Sequence, residues 1–201
     1  MVAGTLPVPP SGKIGFEVLR NGSPIGEHHV IFTQNPDGDL LVNTSADLRV
    51  RVAGIQVYHY QMQVMERWSG GEFTSLDSHV NQNGTLLEVH AQQIAGGFAI
   101  QSTKHGNYNY TGPTPMMPLT YWNKSILQAM ILNVETGGHY LGVVNSPGWN
   151  YLPTANDGTL LAQRFDITGK LHITLWYDQF NQWDGLEFNY LGDVTFRKIT
   201  S

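Results

Sequence analysis

The segment from residue 40 to residue 52 alternates between apolar and polar side chains over its whole length. Successive side chains on a strand point to opposite faces, so the pattern predicts a long strand with one dry and one wet face. A strand of this kind must bury its apolar face against other elements. The pattern therefore predicts that the strand is part of a sheet. The side chains predicted to face the dry side are Leu40, Val42, Thr44, Ala46, Leu48, Val50 and Val52.

The same alternation recurs along most of the chain and is interrupted by turn signals such as Asn21-Gly22. Charged residues make up only 13% of the sequence and glycine occurs 22 times, a composition that favours a turn-rich β protein. We therefore expect an all-β fold of about ten antiparallel strands in a meander. A closed or nearly closed barrel would hide the sheet edges and leave an interior for one small ligand.

The alternation of apolar and polar residues stops between residues 103 and 133. In this region prolines and glycines precede an apolar run at helical spacing. This pattern predicts one short helix near residues 124–132, from about Lys124 to Leu132. Asn123 is placed to act as its N-cap. Such a helix would serve as a lid or plug at one end of the barrel.

The length of 201 residues suits a single domain. We expect an extended, proline-rich lead-in over residues 1–12 and one β-barrel-like domain over residues 13–201. The net charge of -5 argues against nucleic acid as a partner. No apolar run reaches the roughly 18 residues of a spanning helix, so no transmembrane segment is expected, and the first residues lack the features of a signal peptide. The oligomeric state stays open.

Two adjacent histidines lie in the predicted second strand, within the sequence PIGEHHVIF. Alternation turns His28 inward and His29 toward solvent. A neutral imidazole in an apolar interior needs a partner and would titrate near physiological pH, which suits acid/base chemistry. The alternative is a hydrogen-bonded histidine with a purely structural role.

Glu66 is the second unusual residue, because alternation places its carboxylate among apolar and aromatic side chains. A buried carboxylate must be paired, hydrogen-bonded or protonated, and burial raises its pKa. The alternative is a bulge that turns Glu66 outward, next to Arg67.

Aromatic residues mark the remaining candidates for ligand contact. Tyr121, Trp122 and Asn123 precede the predicted helix and combine two rings with a cap, which is compatible either with ligand binding or with a hydrophobic plug. Tyr60 lies on the same predicted face as Glu66, and Trp149 falls on a predicted loop. Tyr121 could donate a hydrogen bond to a reacting group only if His28 or Glu66 lay nearby.

Metal and cofactor chemistry finds little support in the sequence. The eight histidines show no spacing typical of a metal site, and the absence of cysteine removes thiolate ligands and disulfides. The glycine-containing turns lack the context of a phosphate loop, and no Gly-x-Ser-x-Gly elbow occurs. We therefore predict neither a metal nor a cofactor.

Three segments, IGEHHVIF, LTYWNKSILQAMILNVETGG and the C-terminal run from RFDITGK to TFRKI, carry a resemblance to a known group. The chain resembles bacterial, usually exported domains of unknown function in which Ile-Gly-x-His, Tyr-Trp-Asn and Leu-Trp-Tyr-Asp segments recur. The resemblance implies an antiparallel β-barrel-like fold and passage to the periplasm, with the cytoplasm as the alternative. It also draws attention to His28, Tyr121, Trp122 and Asn123.

Three classes of function follow from these observations. The first is binding of an apolar or aromatic small molecule in the barrel interior, with contacts from Tyr60, Trp122, Asn123 and Trp149. The second is a cofactor-independent enzyme, a lyase, isomerase or hydrolase, with His28, Tyr121 and Glu66 as catalytic groups. The third is a structural or envelope-interaction protein, which requires a solidly packed barrel and an exposed Trp149.

Overall fold

A computed structural model describes residues 6–200, so the first five residues of the predicted lead-in lie outside the described part of the chain. The fold is all-β, as predicted, and contains one 3₁₀ helix, Lys124–Gln128. The strands are β1 (Lys13–Arg20), β2 (Ser23–Gln34), β3 (Leu40–Val52), β4 (Ile55–Ser69), β5 (Glu72–Gln82), β6 (Thr85–Ile94), β7 (Gly97–Ser102), β8 (Gly106–Tyr110), β9 (Met116–Pro118), β10 (Met130–Leu132), β11 (His139–Tyr140), β12 (Val143–Pro153), β13 (Thr159–Thr168), β14 (Ile173–Tyr177), β15 (Trp183–Asn189) and β16 (Asp193–Lys198).

Thirteen of these strands form one antiparallel meander in the order β12-β13-β14-β15-β16-β1-β2-β3-β4-β5-β6-β7-β8. The first and last strands of this series along the chain, β1 and β16, pair at its centre. Within the described residues β8 and β12 do not pair, so the sheet stays open. The prediction of about ten strands in a closed or nearly closed barrel is therefore corrected to an open antiparallel sheet of thirteen strands.

The connection between the two free edges runs through the interior of the curled sheet. It carries a second sheet in the order β11-β10-β9, in which β9 and β10 are parallel. Side chains of this internal segment, residues 111–142, join those of the large sheet in one hydrophobic core. The chain itself thus occupies much of the space that a closed barrel would enclose.

The predicted helix near 124–132 proved to be shorter. Asn123 is the N-cap, and its Oδ1 atom accepts a hydrogen bond from the Ser125 backbone N–H at 3.0 Å. The helix ends before Ala129, which is extended, because the chain from Met130 pairs with Met116 in β9–β10. Nowhere in residues 6–200 is there a helix long and apolar enough to cross a membrane.

Alternation correctly predicted which face of the sheet is buried. On β2, His28, Val30 and Phe32 are buried, whereas Ile31 is 51% exposed. On β3 the inward-facing side chains are buried from Val42 to Ala46. They become more exposed toward the C-terminal end of the strand, where Val52 is 60% exposed. The inward face of each strand is therefore settled by the local pattern, except near this end.

Gly26 provides a test of how tightly β2 and β3 approach. Its φ is +148°, and an added Cβ atom would lie 2.0 Å from the Asp47 carbonyl oxygen. The Gly26→Ala substitution should lower the free energy of unfolding by more than about 2 kcal/mol, since both strain and a backbone clash must be relieved.

The matched control is Gly22→Ala in the preceding turn, where φ is also positive, at +77°, but no atom lies within 4 Å of the added Cβ. In that variant the free energy of unfolding should fall by only about 1 kcal/mol, because alanine is disfavoured in the left-handed conformation. Urea denaturation measures both. Equal losses in the two variants would show that close strand approach is not the constraint.

Candidate functional site

The interior of the curled sheet is sealed at one end and open at the other. On the inward face of β4, Val64, Glu66 and Trp68 are at most 1% exposed, whereas Tyr60 and Met62 are partly exposed. The inward residues of β3 change in the same direction, from fully buried to partly exposed. Solvent therefore reaches the interior at the end where β3 finishes and β4 begins, which we term the open end.

Glu66 lies at the sealed end and holds the internal segment against β4. Its Oε2 atom accepts hydrogen bonds from the indole N–H of Trp68 at 2.8 Å and of Trp122 at 3.2 Å. Burial raises the pKa of Glu66 to about 7, and hydrogen bonds, the largest from Thr120, oppose that rise. The structure thus brings together two predicted site residues, Glu66 and Trp122.

The predicted bulge near Glu66 exists but does not turn the carboxylate outward. The irregularity in β4–β5 pairing falls between Arg67 and Trp68, beyond Glu66. Arg67 faces outward instead and binds Asp39, with 2.6 Å between guanidinium nitrogen and carboxylate oxygen. Glu66 is 0% exposed.

His28 occupies an aromatic environment without a polar partner. Its ring centroid lies 5.3 Å from those of Trp183 and Phe196 and 6.3 Å from that of Phe16. Neither ring nitrogen has a hydrogen-bond partner among the described residues. Burial, followed by the nearby His29, lowers the pKa of His28 to about 3, so the expected titration near physiological pH was wrong.

Tyr121 packs near His28 but does not bond to it. Its ring centroid lies 5.4 Å from that of Trp183, the indole that also contacts His28. The Tyr121 backbone has a left-handed φ of 69°, and its carbonyl accepts a hydrogen bond from the Tyr177 hydroxyl at 2.7 Å. His28, Tyr121 and Glu66 therefore do not form a hydrogen-bonded catalytic group.

Trp149 lies apart from the interior site. The predicted loop around it is the edge strand β12, where Trp149 pairs with Gln163 and is 50% exposed. An edge strand accommodates Pro147 and Gly148 at the irregularity in pairing between Asn145 and Gly148.

Glu135 is a site residue that sequence reasoning missed. The Tyr60 hydroxyl donates to its Oε1 atom at 2.6 Å, although the two residues lie on different elements. Glu135 also contributes to raised pKa values for four tyrosines, in each of which burial is the first cause: Tyr58, Tyr60, Tyr121 and Tyr140. We call these four residues the tyrosine cluster. Tyr60 and Glu135 are in contact at the open end, and the other three phenols lie within electrostatic reach of the same carboxylate.

The outer face of β2–β6 carries a broad concavity of about 1170 Å³. Several of its polar side chains already pair with each other, as in His29 with Glu27 at 2.8 Å and Arg49 with Asp47 at 3.0 Å. No group of three or more histidine or acidic side chains in the described residues could hold a metal ion. An apolar ligand would gain little there, so we place the candidate site at the open end of the interior.

Comparisons with known proteins identify the family and support the fold. The family model described as "Domain of unknown function (DUF6134)" matches residues 16–198, and the chain belongs to this family. No curated protein matches the sequence. A crystal structure of a β-barrel-like protein of the domain of unknown function DUF1849, from Brucella abortus, is similar with a TM-score of 0.64. It is 7% identical, with 94% of this chain and 95% of that chain covered. At this identity the likeness shows the fold alone.

The two buried ionisable groups should affect stability with opposite signs as pH changes. His28 has a folded-state pKa of about 3 against 6.5 ordinarily, so between these values the unfolded chain binds more protons and stability rises with pH. Glu66 has a folded-state pKa of about 7 against 4.5, so stability falls with pH between those values. Single variants should separate the two effects.

We compare the free energy of unfolding of each variant with that of the wild type at the same pH. For His28→Phe this difference should be about 2 kcal/mol more stabilising at about pH 5 than at about pH 7.5. For Glu66→Gln the difference should have the opposite dependence, and should be about 2 kcal/mol more stabilising at the higher pH than at the lower. Urea denaturation at the two pH values measures both differences, and the packing cost of each substitution cancels. A stability difference that is the same at both pH values would contradict the assigned environments.

Proposed function

We propose that this DUF6134 domain binds an apolar or aromatic small molecule through the open end of its sheet. The observation that carries the proposal is the gradient of exposure along β4, from Trp68 at 1% to the partly exposed Met62 and Tyr60. All these side chains face the same interior. The solvent contact of these inward-facing side chains supports space for a ligand at the open end.

The chemistry of the open end suits a ring-bearing or apolar ligand. Leu48 and Met62 supply flexible apolar surface, and the tyrosine cluster supplies rings with hydroxyl groups. Ligand sites in proteins combine an apolar lining with a few polar groups that fix orientation. In this proposal Trp122, which is 0% exposed, forms part of the floor, and Asn123 fixes the turn that carries it.

The geometry favours binding over the alternative of a lyase, isomerase or hydrolase. Acid/base catalysis would need His28 within hydrogen-bond reach of Tyr121 or Glu66. His28 bonds to neither, and its low pKa keeps the imidazole neutral and makes it a weak base near pH 7. Location in the periplasm belongs to the same proposal and is supported by the resemblance to exported domains.

Two methionines on opposite faces of β4 allow a direct test with the neutral dye Nile red. The Met62→Trp substitution adds bulk at the open end and should weaken dye binding at least about tenfold, whereas Met65→Trp adds it to the outer face and should leave affinity unchanged. Fluorescence titration measures binding, and thermal melting confirms that both variants fold. Absence of dye binding to the folded wild type, or equal losses in the two variants, would contradict the proposal.

A further inference from the structure

Glu135 is a carboxylate at the open end without a cationic partner. The acidic groups of Asp39 and Asp184 are matched by Arg67 and Lys198, each with a nitrogen to oxygen distance of 2.6 Å. Among the described residues Glu135 forms no such ion pair. A partly buried carboxylate loses hydration, and a neutral phenol donor offsets only part of that loss.

Four phenol groups lie close enough to Glu135 for its carboxylate to affect their pKa values. Burial comes first among the causes that raise the pKa of Tyr60 well above 10, and the Glu135 carboxylate adds to it. The same two influences raise the pKa of Tyr140 to about 12, so these phenols stay neutral. Glu135 therefore supplies the charge of the cluster.

The tyrosine cluster also contains an unused polar atom. The Tyr140 hydroxyl is buried and has no partner at normal hydrogen-bond geometry among the described residues, although the Asn133 side chain lies close enough to oppose the rise in its pKa. Buried polar atoms are nearly always satisfied in folded proteins, so an unsatisfied hydroxyl beside an unpaired carboxylate points to a missing partner. An organic cation would pair with the carboxylate and lie against the phenol rings, and one that carries N–H, such as an amine, would also donate to the hydroxyl oxygen.

We infer that the ligand of the open end carries an organic cationic group, an amine or quaternary ammonium, which Glu135 binds within the tyrosine cluster. This inference rests on the proposed function and specifies its ligand class. A carboxylate supplies ion pairing, and the electron-rich faces of tyrosine rings attract an organic cation. A bare metal ion is not favoured, because the described residues offer no group of three histidine or acidic ligands.

Two probes of the same shape separate charge from size. Phenyltrimethylammonium carries a nitrogen cation where tert-butylbenzene has a neutral carbon. We expect each probe to displace Nile red from the wild-type protein in a fluorescence competition assay. We expect the ammonium to bind at least about tenfold more tightly than the hydrocarbon.

The Glu135→Gln substitution removes the charge and keeps an oxygen that can accept from Tyr60. It should weaken phenyltrimethylammonium binding about tenfold and change tert-butylbenzene binding less than about twofold. The matched control is Glu72→Gln, which removes the same charge from an exposed position on β5 and should change neither affinity. Thermal melting confirms that both variants are folded.

The outcomes distinguish this inference from the proposed function. Equal binding of the two probes, unaffected by Glu135→Gln, would overturn the cationic ligand and leave small-molecule binding standing. Loss of ammonium affinity in Glu72→Gln as large as in Glu135→Gln would also overturn it, since the effect would then be one of net charge. If the dye and both probes fail to bind the folded wild type, the proposed function fails and the inference fails with it.

Discussion

The arrangement of the interior depends on one carboxylate, Glu66, which two indole N–H groups share. Trp68 belongs to the same strand as Glu66, but Trp122 belongs to the internal segment, so the bonds fasten that segment to the sheet. A buried carboxylate deprived of such donors would be costly, which restricts where the turn at Leu119–Asn123 can lie. Tyr121, next to Trp122, is thereby directed onto Trp183. The floor of the proposed pocket follows from this contact.

An open sheet with an internal connection accounts for the sealed end of the interior. A closed barrel removes its edges, whereas this sheet leaves β8 and β12 unpaired with each other and sends residues 111–142 between them. The internal segment packs against Phe32, Trp68 and their neighbours at the sealed end. Toward the open end the inward side chains become partly exposed. Phenol groups and Glu135 collect in this region.

The sequence predicted side-chain direction well and sheet closure poorly. Inward placement of His28 and Glu66 followed from alternation, which is a local property of each strand. Closure depends on which edges meet, and alternation carries no information about edges. The low pKa of His28 was missed because facing inward does not reveal whether a polar partner is near. Glu135 lies in the turn between β10 and β11, where no periodic pattern indicated that the chain would return to Tyr60.

The central claim is that the interior is open beside Met62 and closed beside Val64, two inward-facing neighbours on β4. The chain has no cysteine, so single substitutions Met62→Cys and Val64→Cys each introduce one thiol. The most direct measurement is the rate at which each thiol reacts with a water-soluble disulfide reagent in the folded protein. The thiol at position 62 should react readily and that at position 64 only after unfolding. Protection of both would mean a filled interior, and equal reactivity of both would mean that the interior is not sealed at Glu66.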